Sequence, residues 1–228
     1  MLKPEDFFDL SAYTHQELFR DVEYVWDVLK RLQNYIETVI NPEIQGTIFD
    51  GAYLMDDQIQ IGKGTVVEPG AYIAGPTIIG ENTVVRNGAY IRGNVIIGDH
   101  CVVGHTSELK GSVLLNYSGA PHFNYVGDSI LGNYVNLGAG TKLSNLKMTR
   151  ATVQVKIEDR VYDSGLRKFG AILGDHAQTG CNSVLNPGTL AGPGSIIYPN
   201  ASVSGYIPPE SIVKLRQTLE IVGRKAKG

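Results

Sequence analysis

From Ile61 onward every sixth residue is aliphatic: Val67, Ile73, Ile79, Val85, Ile91, Ile97, Val103, Leu109 and Leu115. Four positions after each of the first eight members come Thr65, Ala71, Thr77, Thr83, Ala89, Val95, Cys101 and Ser107, which are small. Glycine and polar residues fill many of the slots between, as in Ile79-Gly80-Glu81-Asn82 and Ile97-Gly98-Asp99-His100. An amphipathic helix spaces apolar residues by three and four, and a half-buried strand alternates. A strict period of six fits neither. It fits a coil of three short strands in which the aliphatic side chain fills a prism. The small residue then packs under a corner, and glycine or asparagine makes the tight turn. Three hexads complete a coil, and coils stack at the strand spacing of about 4.8 Å. The pattern slips by one residue near Val126-Gly127-Asp128-Ser129-Ile130, resumes at Leu131, Leu137 and Leu143, and breaks. It returns at Leu173, Thr179, Leu185, Ala191, Ile197 and Val203. The fold class expected is all-β, a parallel β-helix.

Three segments lie outside the repeat. Thr14-His15-Gln16-Glu17 reads as a capping box that opens a helix with Leu18, Val22, Val25, Leu29, Leu32 and Ile36 on one face. That helix is expected to pack on the end or side of the coils. Between Leu146 and Phe169, Val153–Ile157 and Val161-Tyr162 alternate around Glu158-Asp159, which predicts a protruding β-hairpin. The hairpin segment carries Lys147, Arg150, Lys156, Arg160, Arg167 and Lys168, so beside an anionic substrate it would serve as a lid. Ile207-Pro208-Pro209 is expected to end the coils, and Arg224-Lys225-Ala226-Lys227 to fray. The expected organisation is a helical segment over 1–44, the β-helix over 45–206 with its insertion at about 146–169, and an extension over 207–228.

Composition narrows the function classes. The chain has 228 residues and a formal charge of −3, which argues against a nucleic-acid partner held by phosphate neutralisation. The start, Met1–Asp6, is followed by no apolar run, so neither a secretory signal nor a membrane span is expected. Two cysteines, Cys101 and Cys181, suit a reducing cytoplasm better than a disulfide framework. No glycine-rich phosphate loop occurs in residues 1–50, so any nucleotidyl transfer is expected to belong to another protein.

The chemistry-bearing stretch runs from Arg92 to Asn145. It contains Ser107-Glu108-Leu109-Lys110 and His122-Phe123-Asn124-Tyr125-Val126-Gly127-Asp128. It continues through Asn133-Tyr134-Val135-Asn136-Leu137-Gly138-Ala139-Gly140-Thr141 to Ser144-Asn145-Leu146. This stretch resembles the acetyltransferase half of the bifunctional bacterial enzyme that makes UDP-N-acetylglucosamine. With Asp163-Ser164-Gly165-Leu166-Arg167-Lys168-Phe169-Gly170-Ala171-Ile172-Leu173-Gly174-Asp175 and Thr179-Gly180-Cys181-Asn182, it is still more similar to that half of archaeal-type bifunctional sugar-1-phosphate nucleotidyltransferases. The likeness covers roughly residues 59–213, and its hexapeptide repeat implies a left-handed helix.

The resemblance implies an acetyl-CoA-dependent N-acetyltransferase acting on glucosamine 1-phosphate or galactosamine 1-phosphate. It assigns Arg92, Lys110 and Tyr125 to the sugar phosphate, with Lys147 and Asn136 as further substrate contacts. Arg92 and Lys110 are eighteen residues apart, one full coil, and their charges complement a phosphate. Asn145 corresponds to the residue that orients the amine. His122 corresponds to the general base, because an attacking amine must lose a proton and imidazole titrates in the right range. Glu108 corresponds to the carboxylate that orients the imidazole. The backbone N–H of Ala139 corresponds to the thioester oxyanion donor. Cys181 falls where relatives place a small residue near the CoA thiol, and is read as packing. Pro121, just before His122, departs from the small residue usual there. The implied assembly is a homotrimer with sites between subunits and no metal requirement.

Two other readings fit the same fold. One is a non-catalytic sugar-phosphate sensor. The other is a zinc-dependent trimeric carbonic anhydrase, for which His100 and His105 have a suitable separation. There the third ligand position, near 64, is Gly64, and zinc catalysis requires three protein ligands.

Overall fold

The computed structural model describes residues 2–223. It is a left-handed parallel β-helix with three faces of nine, eight and eight strands. Face I runs from Ile59–Ile61 through Thr77–Ile79, Val95–Ile97, Val113–Leu114 and Ile130–Leu131 to Ala171–Leu173, Thr189–Ala191 and Tyr206–Ile207. Face II includes Val102–His105, Gly119–His122, Asn136–Leu137 and Gln178–Thr179. Face III includes Tyr90–Arg92, Glu108–Lys110, Tyr125–Gly127 and Lys142–Leu143. The hexad aliphatics Ile61, Val67, Ile73, Ile79, Val85, Ile91, Ile97, Val103 and Leu109 are all buried inside the prism.

The small residues of the repeat do more than fit. Thr65 Oγ1 donates to Gly80 O at 2.6 Å, Thr83 Oγ1 to Gly98 O at 2.9 Å, and Ser107 Oγ to Ala120 O at 2.8 Å. Each ties a corner to the next coil, which explains the preference for a hydroxyl where alanine also fits. The rings of His100, Tyr117, Tyr134 and His176 stack along the corner between faces I and II at 4.8, 4.7 and 4.9 Å. Those distances are set by the coil rise.

The register corrects the repeat in one place. The residue paired with Ile97 is Leu114, and Leu114 pairs with Leu131. The slip therefore occurs twice, before Leu114 and before Leu131, at the corner between faces III and I. Leu115, expected inside the prism, belongs instead to a second cluster outside it.

That second cluster accounts for the N-terminal segment. The outward residues of face I are apolar: Ile78, Ile96, Val113, Ile130, Ile172 and Leu190 are each buried. Leu18, Phe19, Val25, Trp26, Leu32 and Ile36 cover them. The helix expected from Thr14 does not form there. A 3-10 turn spans Gln16–Phe19 with no side-chain cap, Arg20 is extended, and Asp21 has φ 55°. The α-helix, α1, begins only at Asp27 and ends at Val39. Tertiary packing of Phe7, Phe8, Tyr13 and Phe19 against face I overrides the local capping signal. The hairpin does form, Gln154–Ile157 against Arg160–Asp163, but it does not protrude. Val153 and Val155 are fully buried on the same apolar face, and Tyr162 packs near Trp26. The coils continue past Pro209 to a strand at Ile212–Val213. The basic tail at Arg224–Lys227 lies outside the described residues.

Tyr13 is 3% exposed and its hydroxyl has no partner among the described residues. A buried unsatisfied hydroxyl costs about 1–3 kcal/mol. Tyr13→Phe keeps the ring contacts with Phe19 and His15 and removes that cost. It is expected to raise the melting temperature in a thermal scan, and a fall would show that the hydroxyl is needed.

Candidate active site

Two features of the coils converge near residues 104–145. The first is the corner between faces II and III. Asn124 locks it: Asn124 Oδ1 accepts the His122 N–H at 3.0 Å, Asn124 Nδ2 donates to Gly138 O at 2.8 Å, and Asn124 N–H donates to Ser107 Oγ at 3.1 Å. The next coil closes it from above through Gly140 N–H to His122 O at 3.0 Å. Held this way, the His122 side chain projects from the corner, exposed and with no hydrogen bond to the rest of the chain among the described residues. One coil below in register stands His105, whose Nδ1 is engaged at 2.9 Å by Asn87 O. Ala139 lies on the corner above His122, and its N–H donates to no group among the described residues. Cys181 is exposed one coil further on in the same register.

The second feature is the outer surface of face III. Tyr90, Glu108, Tyr125 and Lys142 form one outward column. Arg92, Lys110 and Gly127 form the next. Arg92 Nη1 donates to Glu108 Oε1 at 2.8 Å, and Lys110 Nζ reaches both Asp128 oxygens at 2.9 Å. Asn145 Nδ2 donates to Asp128 Oδ2 and lies against the Tyr125 hydroxyl. Burial, followed by the nearby carboxylates of Glu108 and Asp128, pushes the Tyr125 phenol up, so it remains a neutral hydroxyl. Arg92, Glu108, Lys110, Tyr125 and Asn145 are thus brought together, with Arg92 and Lys110 one coil apart as their spacing anticipates.

Other expected contacts do not form among the described residues. Glu108 is bonded to Arg92 and makes no hydrogen bond to His122. Asn136 is exposed on face II, away from the Lys110 column. Lys147 Nζ turns to Thr152 O within the insertion at 3.3 Å. His100 lies in the turn before the strand Val102–His105 and His105 at the end of that strand, and among the described residues no three His, Cys, Asp or Glu side chains converge on a metal-binding geometry.

Asp128 carries no distinguishing signal in the sequence, although it closes the His122–Asp128 motif and sits at one of the shortened corners. It also borders a cleft of about 450 Å³ between α1, Asn94 and the insertion, whose lining includes Arg167 and Lys168. That cleft is where the insertion's basic residues approach the Lys110 group.

Gly127 has a steric role here. A Cβ at this position would lie 2.7 Å from Tyr125 Oη and 2.8 Å from Asn145 Nδ2. Both are side-chain ends that can move, so Gly127→Ala is expected to fold normally while displacing both groups. A displacement of that size costs on the order of a hundredfold in turnover. Melting and turnover measured side by side check this, and full activity would contradict the packing described.

Residues 73–213 match the model of the GMPPB C-terminal domain. The chain belongs to the GMPPB C-terminal domain family. Among curated relatives, the bifunctional protein GlmU of Methanococcus maripaludis strain C7 is 37% identical over 207 residues, 91% of this chain and 50% of that protein. The bifunctional sugar-1-phosphate nucleotidylyltransferase/acetyltransferase of Sulfurisphaera tokodaii is 41% identical over 91 residues, 40% of this chain and 23% of that protein. The chain thus spans half the length or less of these curated relatives. Among solved structures, the UDP-N-acetylglucosamine acyltransferase of Francisella novicida superposes with a TM-score of 0.56 at 17% identity, covering 75% of this chain and 63% of that one. That likeness establishes the shared β-helix. No helix among the described residues is long and apolar enough to cross a membrane.

Proposed function

We propose that this GMPPB C-terminal domain protein is an N-acetyltransferase that moves the acetyl group of acetyl-CoA onto the amine of an amino-sugar 1-phosphate. The observation that carries the reading is the position of His122. It is an exposed imidazole that makes no hydrogen bond among the described residues, on a backbone fixed by Asn124 and Gly140. It stands at the corner between face II and face III, which carries Arg92 and Lys110, below the Ala139 N–H, which donates to no group among the described residues.

The neutral amine of the acceptor attacks the thioester carbonyl carbon, and His122 accepts the proton that the nitrogen loses. The carbonyl oxygen gains charge as the tetrahedral intermediate forms, and the Ala139 N–H donates to it. One such donor is typically worth about 3–4 kcal/mol. The intermediate collapses to an amide and CoA thiolate, which takes the proton back from the imidazolium. Arg92, Lys110 and Tyr125 offer two cations and a hydroxyl to the acceptor phosphate. Each cation is now neutralised by a carboxylate, so phosphate binding requires those pairs to loosen or share.

Asn136 lies on face II and the Lys110 group on face III, so one chain does not bring them together. A homotrimer with parallel coil axes sets face II of one subunit beside face III of the next and completes the groove. Cys181, in register with Ala139, then lines the path of the CoA thiol. The substrates are small molecules of the cytoplasm, and glucosamine and galactosamine 1-phosphate differ only at the 4-hydroxyl.

Thiol release from acetyl-CoA, measured with glucosamine 1-phosphate, galactosamine 1-phosphate and free glucosamine, tests the reading. Turnover that requires the phosphate supports it. Binding of a sugar phosphate without thiol release would favour a sensor, and turnover with free glucosamine alone would remove the phosphate site.

A further inference from the structure

The carboxylate at the centre of the face III network has no role in the reaction outlined above. Asp128 comes from a corner shortened by one residue, with φ 47° and its N–H donated to Lys110 O at 2.9 Å. Its own carbonyl accepts Gly170 N–H at 2.8 Å, where the chain rejoins the coils after the insertion. The position beneath is Gly111, where a Cβ would lie 2.7 Å from Asp128 Oδ1. Absence of a side chain there leaves the carboxylate room to turn toward face III.

Its two oxygens hold two different groups. Lys110 Nζ is 2.9 Å from both, and the Asn145 amide nitrogen is bonded to Oδ2. A carboxylate only accepts, so the bonded end of Asn145 must be its NH2. The Tyr125 hydroxyl lies on the same side of the group, both it and the Asn145 nitrogen crowding the Cβ position of Gly127. Asn145 Oδ1 has no hydrogen-bond partner among the described residues.

We propose that Asp128 is a positioning residue that pins the amide nitrogen of Asn145 and thereby turns Asn145 Oδ1 outward as the acceptor for the substrate amine. This rests on the N-acetyltransferase reading. An amine about to attack through its lone pair must point its N–H bonds away from the carbonyl carbon. A fixed acceptor for one of those N–H bonds sets that orientation. Asp128 also balances the Lys110 charge, so removing it frees Lys110 for the phosphate. The two roles have opposite signs in kinetics: loss of Asp128 lowers kcat and does not raise KM for the acceptor.

The test uses Asp128→Asn, Asn145→Ala and the double variant of the full chain. Asp128→Asn is expected to lower kcat on the order of a hundredfold, the scale of a misplaced reacting group, with no rise in KM for the sugar phosphate. In the Asn145→Ala background the same change is expected to cost less than about threefold, because coupled residues lose their effect once. Equal losses in both backgrounds, or a raised KM with kcat intact, would overturn the proposal. If the wild-type chain releases no thiol with any amino-sugar phosphate, the acetyl-transfer reading fails. Crystal structures of the wild type and Asp128→Asn then decide the positioning role separately: a rotated Asn145 with Lys110 released supports it, and both side chains in place overturn it.

Discussion

Replacement of His122 by alanine is expected to lower turnover by about a hundredfold or more, the usual scale for loss of a general base, without lowering the melting temperature. The two halves of this expectation have separate physical grounds. The conformation of the corner does not depend on the imidazole. It depends on the His122 N–H held by Asn124, the His122 carbonyl held by Gly140, and Phe123 N–H donated to His105 O at 2.8 Å. Each is a main-chain group that alanine retains. The side chain is exposed and makes no hydrogen bond of its own among the described residues, so its removal leaves no cavity and orphans no partner there. An equal loss in Glu108→Gln would mean that the carboxylate leaves Arg92 for His122 in the working complex. In the isolated chain that carboxylate is committed to Arg92 at 2.8 Å. Full turnover in His122→Ala would remove the histidine from the mechanism and leave the free Ala139 N–H as the main support for acyl transfer.

Much of the fold was legible because the prism interior accepts a single kind of residue at fixed intervals. Ile61, Ile79 and Ile97 are consecutive layers of one column, and the sequence repeats them without exception. Less legible was a second periodicity with the length of a whole coil. Ile78 precedes Ile79, Ile96 precedes Ile97, and Val113 precedes Leu114. Face II carries similar pairs, Val66-Val67, Val84-Val85 and Val102-Val103, whose outer member stays partly exposed, whereas on face I both members are buried, so the pairs alone do not say which face is covered. The N-terminal segment and the hairpin cover face I together. Leu114 and Leu115, side by side, hid the first slip: a period of six lands on Leu115, while the shortened corner puts Leu114 into the prism. The helix start failed for a related reason. A capping box is a local signal worth about a kilocalorie or two, and the buried aromatic cluster of Phe7, Phe8, Tyr13 and Phe19 outweighs it.

The candidate site divides along the same line. Residues fixed by register, Arg92 with Lys110 and Glu108 with Tyr125, are neighbours as coil arithmetic requires. Side-chain partners across the face are not set by register. Glu108 turns to Arg92, and Asp128 gathers Lys110 and Asn145, because neighbouring charges on a half-exposed sheet satisfy one another first. Asn136 shows the other limit. Its distance from the Lys110 column follows from its being on a different face, and a single chain has no sequence signal for what stands opposite.

Replacing Gly104 by alanine is expected to be among the most damaging single-atom additions in the chain. Gly104 lies in the strand Val102–His105, directly beneath Pro121 in the register that pairs Val103 with Ala120 and His105 with His122. A Cβ there would lie 1.6 Å from Pro121 O, 1.9 Å from Pro121 C and 2.3 Å from Pro121 Cα. All three are main-chain atoms, so no rotamer change relieves the overlap. Glycine inside a strand commonly marks such a close backbone approach. The proline has no N–H to contribute to the ladder, and the strands meet here by proximity of their backbones. Overpacking that the backbone must absorb costs up to about 3 kcal/mol or more, which for a chain of this size is a fall in melting temperature of roughly 6–12 °C. Because Pro121 immediately precedes His122, the displaced segment is the one that carries the proposed base, and turnover should fall more than stability alone explains. Pro121→Gly restores an N–H and lets the strand shift, so it should recover part of both losses in the Gly104→Ala background while doing little for Gly127→Ala. Thermal melts and thiol release on the four variants separate these effects. An unchanged melting temperature in Gly104→Ala would mean that the strand before His122 has slack, and that the proline, in spite of its place beside the histidine, does not help to fix its pose.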